Sequence, residues 1–398
     1  MEYVFSDKIA NLKPSAIREI LKAPSDAETI SFAAGNPSPE AFPLKDLADL
    51  SADIYQNMPV QALQYSVTDG YGPLREAVAK RQKAVFGIGR DFDTTIIVSG
   101  GQQGIELLCK VMCNEGDTVL VETPSFVGAL NAFRSCGART VGVPLCEDDT
   151  GIDVPAPEKA LQTEPNVKIL YLIPTFQNPA GTTMILRKRK EVYALCKKYG
   201  VLILEDNPYG ELRFEGEEIP TIKSFDEDGI VVYCSSFSKI LSPGIRVGFI
   251  VAPDAVAQKM VVAKQSEDVH TNIFFQILCH KYMTERDLQA HIEEIRALYR
   301  HKCHLMLDEL AKNLPDCIRF TRPEGGLFIW CTLPQSIDPT AFIKACMDKK
   351  LRIVPGVTFN ADTEAPSSCF RLNYSTPSDA QIVEGCKRLG DVARSFIS

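Results

Sequence analysis

The chain has 398 residues, enough for two domains and a large core, and its 45% hydrophobic and 24% charged residues are the proportions of an ordinary globular protein in water. A formal net charge of −8 argues against nucleic acid or an anionic membrane as a main partner. No apolar run reaches membrane-spanning length, and the first residues lack a basic-then-apolar secretion pattern. Thirteen scattered cysteines without a CxxC spacing fit reduced thiols in a cytoplasmic enzyme better than disulfides or a zinc ribbon.

In chain order, "LKPSAIREIL" reads as a short helix carrying Arg18. From about residue 95 strands and helices alternate. "TTIIVSGG" is a strand, "QQGIELLCKVMC" a helix with apolar residues at helical spacing, and "DTVLVETP" and "VKILYLIP" are the next strands. "LRKRKEVYALCKKYG" is an amphipathic helix ending at Gly200, and "VLILEDNPYG", "IVVYC" and "RVGFIVAP" are three further strands. Continuous apolar strands with helices between them predict an α/β fold with a mostly parallel sheet covered on both faces. After about residue 285 a long helical stretch leads to "GGLFIWCTLP", "LRIVPG" and "CFRLNYS", the texture of a smaller α+β domain. The expected division is residues 45–285 for the large domain and 1–44 with 286–398 for the small one.

The chemistry-bearing residues fall where parallel strands end, which is where such sheets bind ligands. In "SSFSKILSPGIRVGF" Lys239 follows a buried strand. It is either a solvated strand end or a lysine used for its amine, since burying an ammonium is costly unless it is paired or neutralised. Gly100 and Gly101 open a helix after a strand, which is either plain turn geometry or an anion site at a helix N-terminus. Asp206 ends "LILED", with Tyr209 one turn on, and Asn178 ends another strand before Pro179 and Gly181. Alone, each has an ordinary turn or cap as its alternative. Together they offer an amine, a carboxylate, a phenol, an amide and an anion cradle of Gly101, Gln102, Ser236, Ser238 and Arg246. Pyridoxal 5′-phosphate needs all five: a lysine for its aldehyde, a carboxylate for its ring nitrogen, phenol and amide donors for its ring oxygen, and donors for its phosphate. His301 and His304, with Cys303 between them, form either a metal half-site or one turn of a polar helix face; the pair has no third ligand in sight, so no metal is expected.

"SFAAGNPSPEAFP", "LQYSVTDGYGPLREAVA", "VSGGQQGIELL", "PTFQNPAGTT", "EDNPYGELRF", "SSFSKILSPGIRVGF", "PEGGLFIW" and "FRLNYS" run nearly end to end. Through them the chain resembles fold-type I pyridoxal-phosphate enzymes of the class I/II aminotransferase family. It is most similar to the branch of 2-aminoadipate, kynurenine and broad-range aromatic aminotransferases. The resemblance implies that Lys239 is the Schiff-base lysine and proton shuttle and Asp206 the pyridinium partner. Asn178 and Tyr209 become ring-oxygen donors, and Ser236, Ser238, Arg246, Gly101 and Gln102 phosphate ligands. Tyr65 matches a tyrosine that reaches the phosphate of the neighbouring subunit of a homodimer. Arg371 matches the arginine that grips the substrate α-carboxylate. Phe126 stacks on the ring where many relatives have tyrosine, and Gly101 stands where close relatives often have serine. Gly35 and Asn36 line the substrate entrance or form a turn. Arg18 lies near the substrate's distal end or on a solvated helix face. Trp330 is read as core.

The implied function is amino transfer between an L-amino acid and a 2-oxo acid, with glutamate and 2-oxoglutarate as one pair. A β-lyase or decarboxylase on the same scaffold is the alternative; Arg371 favours transfer, because it fixes the carboxylate and leaves the α-hydrogen toward Lys239. A ligand-sensing regulator would need an N-terminal DNA-binding domain, for which the pattern leaves no room. A NAD dehydrogenase lacks its glycine fingerprint here.

Overall fold

The structure, a computed structural model, describes residues 3–10, 12 and 28–397. β1 (Ile30–Ser31) is a short strand of the amino-terminal segment. Seven strands build the central sheet: β2 (Asp93–Val98), β3 (Thr118–Thr123), β4 (Arg139–Pro144), β5 (Val167–Leu172), β6 (Leu202–Asp206), β7 (Val231–Ser236) and β8 (Gly248–Pro253). Their order across the sheet is β2-β8-β7-β6-β5-β3-β4. The strands from β4 through β3, β5 and β6 to β7 are parallel, and β8 runs antiparallel to both β7 and β2.

Both faces of this sheet are apolar, and the period of two residues along a strand decides which face each side chain joins. On β5, Ile169 and Tyr171 enter the core shared with Leu107, Leu108, Phe133 and Met260. Leu170 and Leu172 enter the opposite core with Val192 and Cys196. Leu204 of β6 lies on the first face and Ile203 on the second. Asp206 therefore shares its face with Leu204 and Tyr171, and Glu205 points the other way. The helix Leu186–Tyr199, which covers the second face, stops at Gly200 with a left-handed φ of 66°, as expected of a glycine cap.

β4 was not among the expected strands. It is the sheet's edge, paired on one side only with β3, and just one of its six residues is buried. Its "RTVGVP" lacks the continuous apolar run that marks the inner strands.

The carboxy-terminal part adds β9 (Arg319–Phe320), β10 (Phe328–Thr332), β11 (Leu351–Arg352), β12 (Val354–Pro355) and β13 (Cys369–Asn373). β12-β13-β10-β9 form an antiparallel sheet, and β1 pairs in parallel with β11. The 26-residue helix Leu288–Asn313 packs against the helix Asp379–Ile397, and its amino end is capped by the Asp287 side chain accepting from Ala290 N.

Two buried cations hold opposite ends of the central sheet. Arg189 donates to the carbonyls of Met184, Pro174 and Pro220 and to Thr175 Oγ1, which fixes the loop leaving β5. Lys223 Nζ donates to Asp93 Oδ1 at 2.7 Å, Asp226 Oδ2 at 2.9 Å and Val231 O at 2.8 Å, tying the amino ends of β2 and β7 together. Lys223→Ala removes the cation that bonds both Asp93 and Asp226 and leaves two buried carboxylates without it. It is expected to lower unfolding free energy by about 3–5 kcal/mol, read from the denaturant midpoint. A loss under about 1 kcal/mol would place the ion cluster among the weak surface pairs instead.

Candidate active site

The carboxyl ends of β2, β3, β5, β6 and β7 open on one edge of the sheet. The cavity there measures about 810 Å³. Gly101, Gln102, Ser236, Ser238 and Arg246 line one side of it, and Asp206, Tyr209, Asn178, Lys239 and Arg371 line the rest. Phe126, Gly35 and Asn36 also face it.

The anion cradle is built from backbone as much as from side chains. Gly100 caps the helix Gly101–Met112 with a φ of 80°. A Cβ on Gly100 would stand 2.3 Å from Arg246 Nη2, so glycine is required for the arginine to lie across the turn. Arg246 itself is left-handed at a φ of 53°, and its guanidinium donates to Pro243 O and Ser99 O at 3.2 Å. Ser236 Oγ lies 2.7 Å from Ser238 Oγ. The first free amides of a twelve-residue helix, two hydroxyls and a guanidinium converge here, and the chemistry they share is recognition of a phosphate. At Gly101 an added Cβ would meet only Cys234 Sγ at 3.5 Å, so the missing hydroxyl is not forced by lack of room.

Asp206 forms the floor. It is buried, and Tyr171 Oη donates to its Oδ2 at 2.7 Å. Burial pushes its pKa up to about 7, against the pull of that hydrogen bond. Lys239 Nζ donates to Gly35 O at 2.9 Å. Withdrawal of its amine from water, helped by the nearby Arg371 and Arg246, pushes its pKa down to about 8. Burial also raises the Tyr209 phenol, partly offset by Arg371.

Arg371 of β13 reaches back to the central sheet. It donates through Nη1 to Asn178 Oδ1 and through Nη2 to Ala33 O, both at 2.9 Å. Asn178 Nδ2 in turn donates to Tyr209 Oη at 3.4 Å. The guanidinium lies 4.2 Å from the ring centre of Phe328 and 5.0 Å from that of Phe359. Its Nε is buried without a partner, a donor left over for an incoming anion. Burial lowers the Arg371 pKa to about 10.

Thus the cofactor and carboxylate residues expected from the sequence meet in one cavity, with two exceptions. Tyr65 is 82% exposed and is not among the residues that line this chain's cavity; its ring meets that of His270 at about a right angle. Arg18 lies outside the described residues. Trp330 packs on Phe359 in the core. His301 Nε2 lies beside Asp379 and His304 Nε2 beside Glu215, so the two rings serve separate carboxylates. Sequence reading did not pick out Tyr171, nor Phe328 and Phe359. The alternation along "ILYLIP" does put Tyr171 on the Asp206 face, but only the pairing of β5 with β6 brings them together.

The anion cradle, the buried carboxylate and the lysine match the phosphate, ring nitrogen and aldehyde of pyridoxal 5′-phosphate. Comparison with known proteins leads to the same group. Residues 27–389 match the family described as aminotransferase class I and II. The aromatic-amino-acid aminotransferase 1 of Thermococcus litoralis is 40% identical over 397 residues, covering 99% of this chain and 94% of that protein. A crystal structure of Pyrococcus horikoshii kynurenine aminotransferase, in complex with PMP and with KYN as substrate and KYA as product, superposes with a TM-score of 0.94. It is 37% identical and covers 99% of this chain and 98% of its own. LysN, an α-aminoadipate aminotransferase of Thermus thermophilus solved with N-(5′-phosphopyridoxyl)-L-leucine, superposes at 0.90 with 36% identity, over 99% of this chain and 98% of its own. A phosphate cradle, a buried acid and a lysine on this sheet edge are what such chemistry requires, and the chain belongs to the class I and II aminotransferases, enzymes that use pyridoxal 5′-phosphate to move amino groups.

Proposed function

We propose that the protein works in the cytoplasm as a homodimer. It passes amino groups between glutamate or 2-oxoglutarate and a second amino acid or 2-oxo acid of aromatic, aliphatic or 2-aminoadipate type. What carries this reading is Arg371, a buried guanidinium with an unpartnered Nε beside Asn178, Lys239 and the cofactor cradle. An arginine so placed grips an α-carboxylate and sets the rest of the substrate by exclusion. Ile105, Val127, Phe126 and Phe328 give the same cavity an apolar lining that suits aromatic and aliphatic side chains. The names of the similar proteins, aromatic, kynurenine and aminoadipate aminotransferases, span that range. Residues 45–285 would form the cofactor-binding domain, around the seven-stranded sheet, and residues 1–44 with 286–398 the small domain that supplies Arg371.

Ser236, Ser238, Arg246, Gln102 and the Gly101 amide would hold the phosphate, Lys239 the aldehyde carbon, Asp206 the ring nitrogen, and Asn178 and Tyr209 the ring oxygen. When bound, pyridoxal phosphate supplies the carbonyl that takes up the amino group and the ring that draws electrons from the α-carbon. Arg371 fixes the substrate carboxylate, and Phe328 and Phe359 keep the guanidinium in place between their rings. Lys239, with its pKa brought down to about 8, can accept the α-proton at Nζ and later give it back. Phe126 closes the cleft by apolar contact alone, having no hydroxyl.

A second subunit completes the reading. Tyr65 stands 82% exposed, and Val60, Leu63, Val67 and Val269 are exposed apolar residues of the same chain. Scattered apolar exposure is common, but a cluster of this kind with an aromatic tip fits a buried interface.

Three outcomes test these statements. In a panel of amino acids with 2-oxoglutarate, phenylalanine, leucine and 2-aminoadipate should all be turned over, with Arg371→Lys raising KM for each about 10- to 100-fold; activity confined to small amino acids would refute the substrate range. Borohydride should fix the cofactor to Lys239, and Lys239→Ala should keep cofactor but lose roughly 100- to 10,000-fold or more in turnover. A label on any other lysine removes Lys239 from the role. Sedimentation should show a dimer, and Tyr65→Phe should release cofactor about 10-fold more readily without changing the fold. A monomer with full activity contradicts the shared site.

A further inference from the structure

Asp206 is held in an unusual way for a buried acid. Among the described residues, one side chain bonds to it, and that is Tyr171, donating to Oδ2 at 2.7 Å. Tyr171 stands on β5 opposite Leu204, and its side chain leans diagonally toward Asp206 two residues on, the reach that an aromatic residue has across paired strands. Its ring is fully buried with its edge against Phe133 at 5.5 Å, and it is not part of the cavity wall. Among the described residues its hydroxyl bonds to nothing else. A buried phenol that lies outside the cavity wall and bonds to one carboxylate oxygen has that carboxylate as its task.

We infer that Tyr171 is a positioning residue for amino transfer: its hydroxyl holds Oδ2 of Asp206 and leaves Oδ1 for the protonated ring nitrogen of the cofactor. The inference rests on Asp206 being the ring-nitrogen partner. Two effects follow from one hydrogen bond. The carboxyl plane is fixed, because Oδ2 can no longer turn toward the ring. The ionised form of Asp206 is favoured, because a phenol donates more strongly to a carboxylate than to an acid. That second effect opposes burial, which alone drives Asp206 toward its neutral form. The other titratable groups near this pair are Glu122 on β3, Cys234 on β7 and Tyr209 after β6. Burial raises the pKa of all three, so each leans to its neutral form and none brings a positive charge to Asp206.

Tyr171→Phe removes one oxygen and keeps the ring against Phe133. In apoprotein carrying ¹³C-aspartate, with the Asp206 signal assigned through Asp206→Asn, the midpoint of Asp206 ionisation should rise by about one to two pH units, the worth of a hydrogen bond to a charged group. Replacing Tyr171 by 3,5-difluorotyrosine, a stronger donor of nearly the same shape, should move the midpoint the other way and serves if the phenylalanine variant folds poorly. In the holoenzyme, Tyr171→Phe should weaken cofactor binding about 10-fold at neutral pH. In an Asp206→Asn background the same change should have little further effect, since the two residues act through one bond. An unmoved Asp206 midpoint, or losses that add across the two variants, overturns the inference alone. Wild-type cofactor affinity in Asp206→Asn would remove Asp206 from the ring nitrogen and the inference with it.

Discussion

A carboxylate at the end of an apolar strand costs free energy to keep charged, and the site is organised around that cost. Asp206 gets there because β6 is an inner strand whose last residue keeps the alternation of Leu204. Among the described residues no cation is bonded to it to relieve the charge; a phenol is. A cationic ring nitrogen arriving at Oδ1 would relieve it far better, since opposite charges at hydrogen-bond distance in a poorly solvated site interact strongly. With Asp206 as the proposed ring-nitrogen partner, the cofactor's place would be fixed by what the fold leaves unsatisfied. The start of the helix Gly101–Met112 would do the same for a phosphate, since the first amides of a helix have no carbonyl within it to bond.

Arg371 poses the complementary problem, a buried guanidinium to which, among the described residues, no carboxylate is bonded. Its solution joins the two sheets. β13 supplies the arginine, the loop after β5 supplies Asn178, the amino-terminal segment supplies Ala33 O, and β10 supplies Phe328. Arg189, buried beneath that loop, holds its start at Pro174 and Thr175. The position of Arg371, the proposed substrate anchor, is thus set by elements far apart in sequence. A change in the loop at Pro174 reaches Arg371 through Asn178 without touching the substrate.

The inner strands, the helices between them and the strand-end residues were legible in the sequence because each leaves a local trace. "VKILYLIP" and "VLILED" are continuous apolar runs, and a lysine, an acid and a glycine pair at their ends stand out against them. β4 left no such trace, since an edge strand with "RTVGVP" needs only one apolar face. Tyr171 was hidden for a different reason. It lies inside an apolar run and reads as core, which it is; what makes it part of the site is a partner thirty-five positions away on the next strand. Phe328 and Phe359 were hidden in the same way, as apolar residues whose role depends on an arginine arriving between them. That Tyr65 is exposed rather than part of this chain's cavity lining became visible only in the structure.

Burial pushes Lys239, Asp206 and Arg371 toward their neutral forms together, the lysine to about 8, the acid to about 7 and the arginine to about 10. The same desolvation has three different uses. The arginine, starting far above neutrality, remains a cation and keeps its grip. The lysine is brought within reach of neutral pH, where a base must both lose and regain a proton. The acid is brought to the point where its surroundings decide its charge, and a ring nitrogen that shares its proton decides it toward carboxylate. On the proposed reading, a pocket of ordinary side chains, dried by its own walls, would so obtain an anchor, a shuttle and a charge partner from the distance of each ordinary pKa from seven. The stability that this drying costs is recovered away from the cavity, in the two apolar faces of the sheet and the ion cluster at its amino ends.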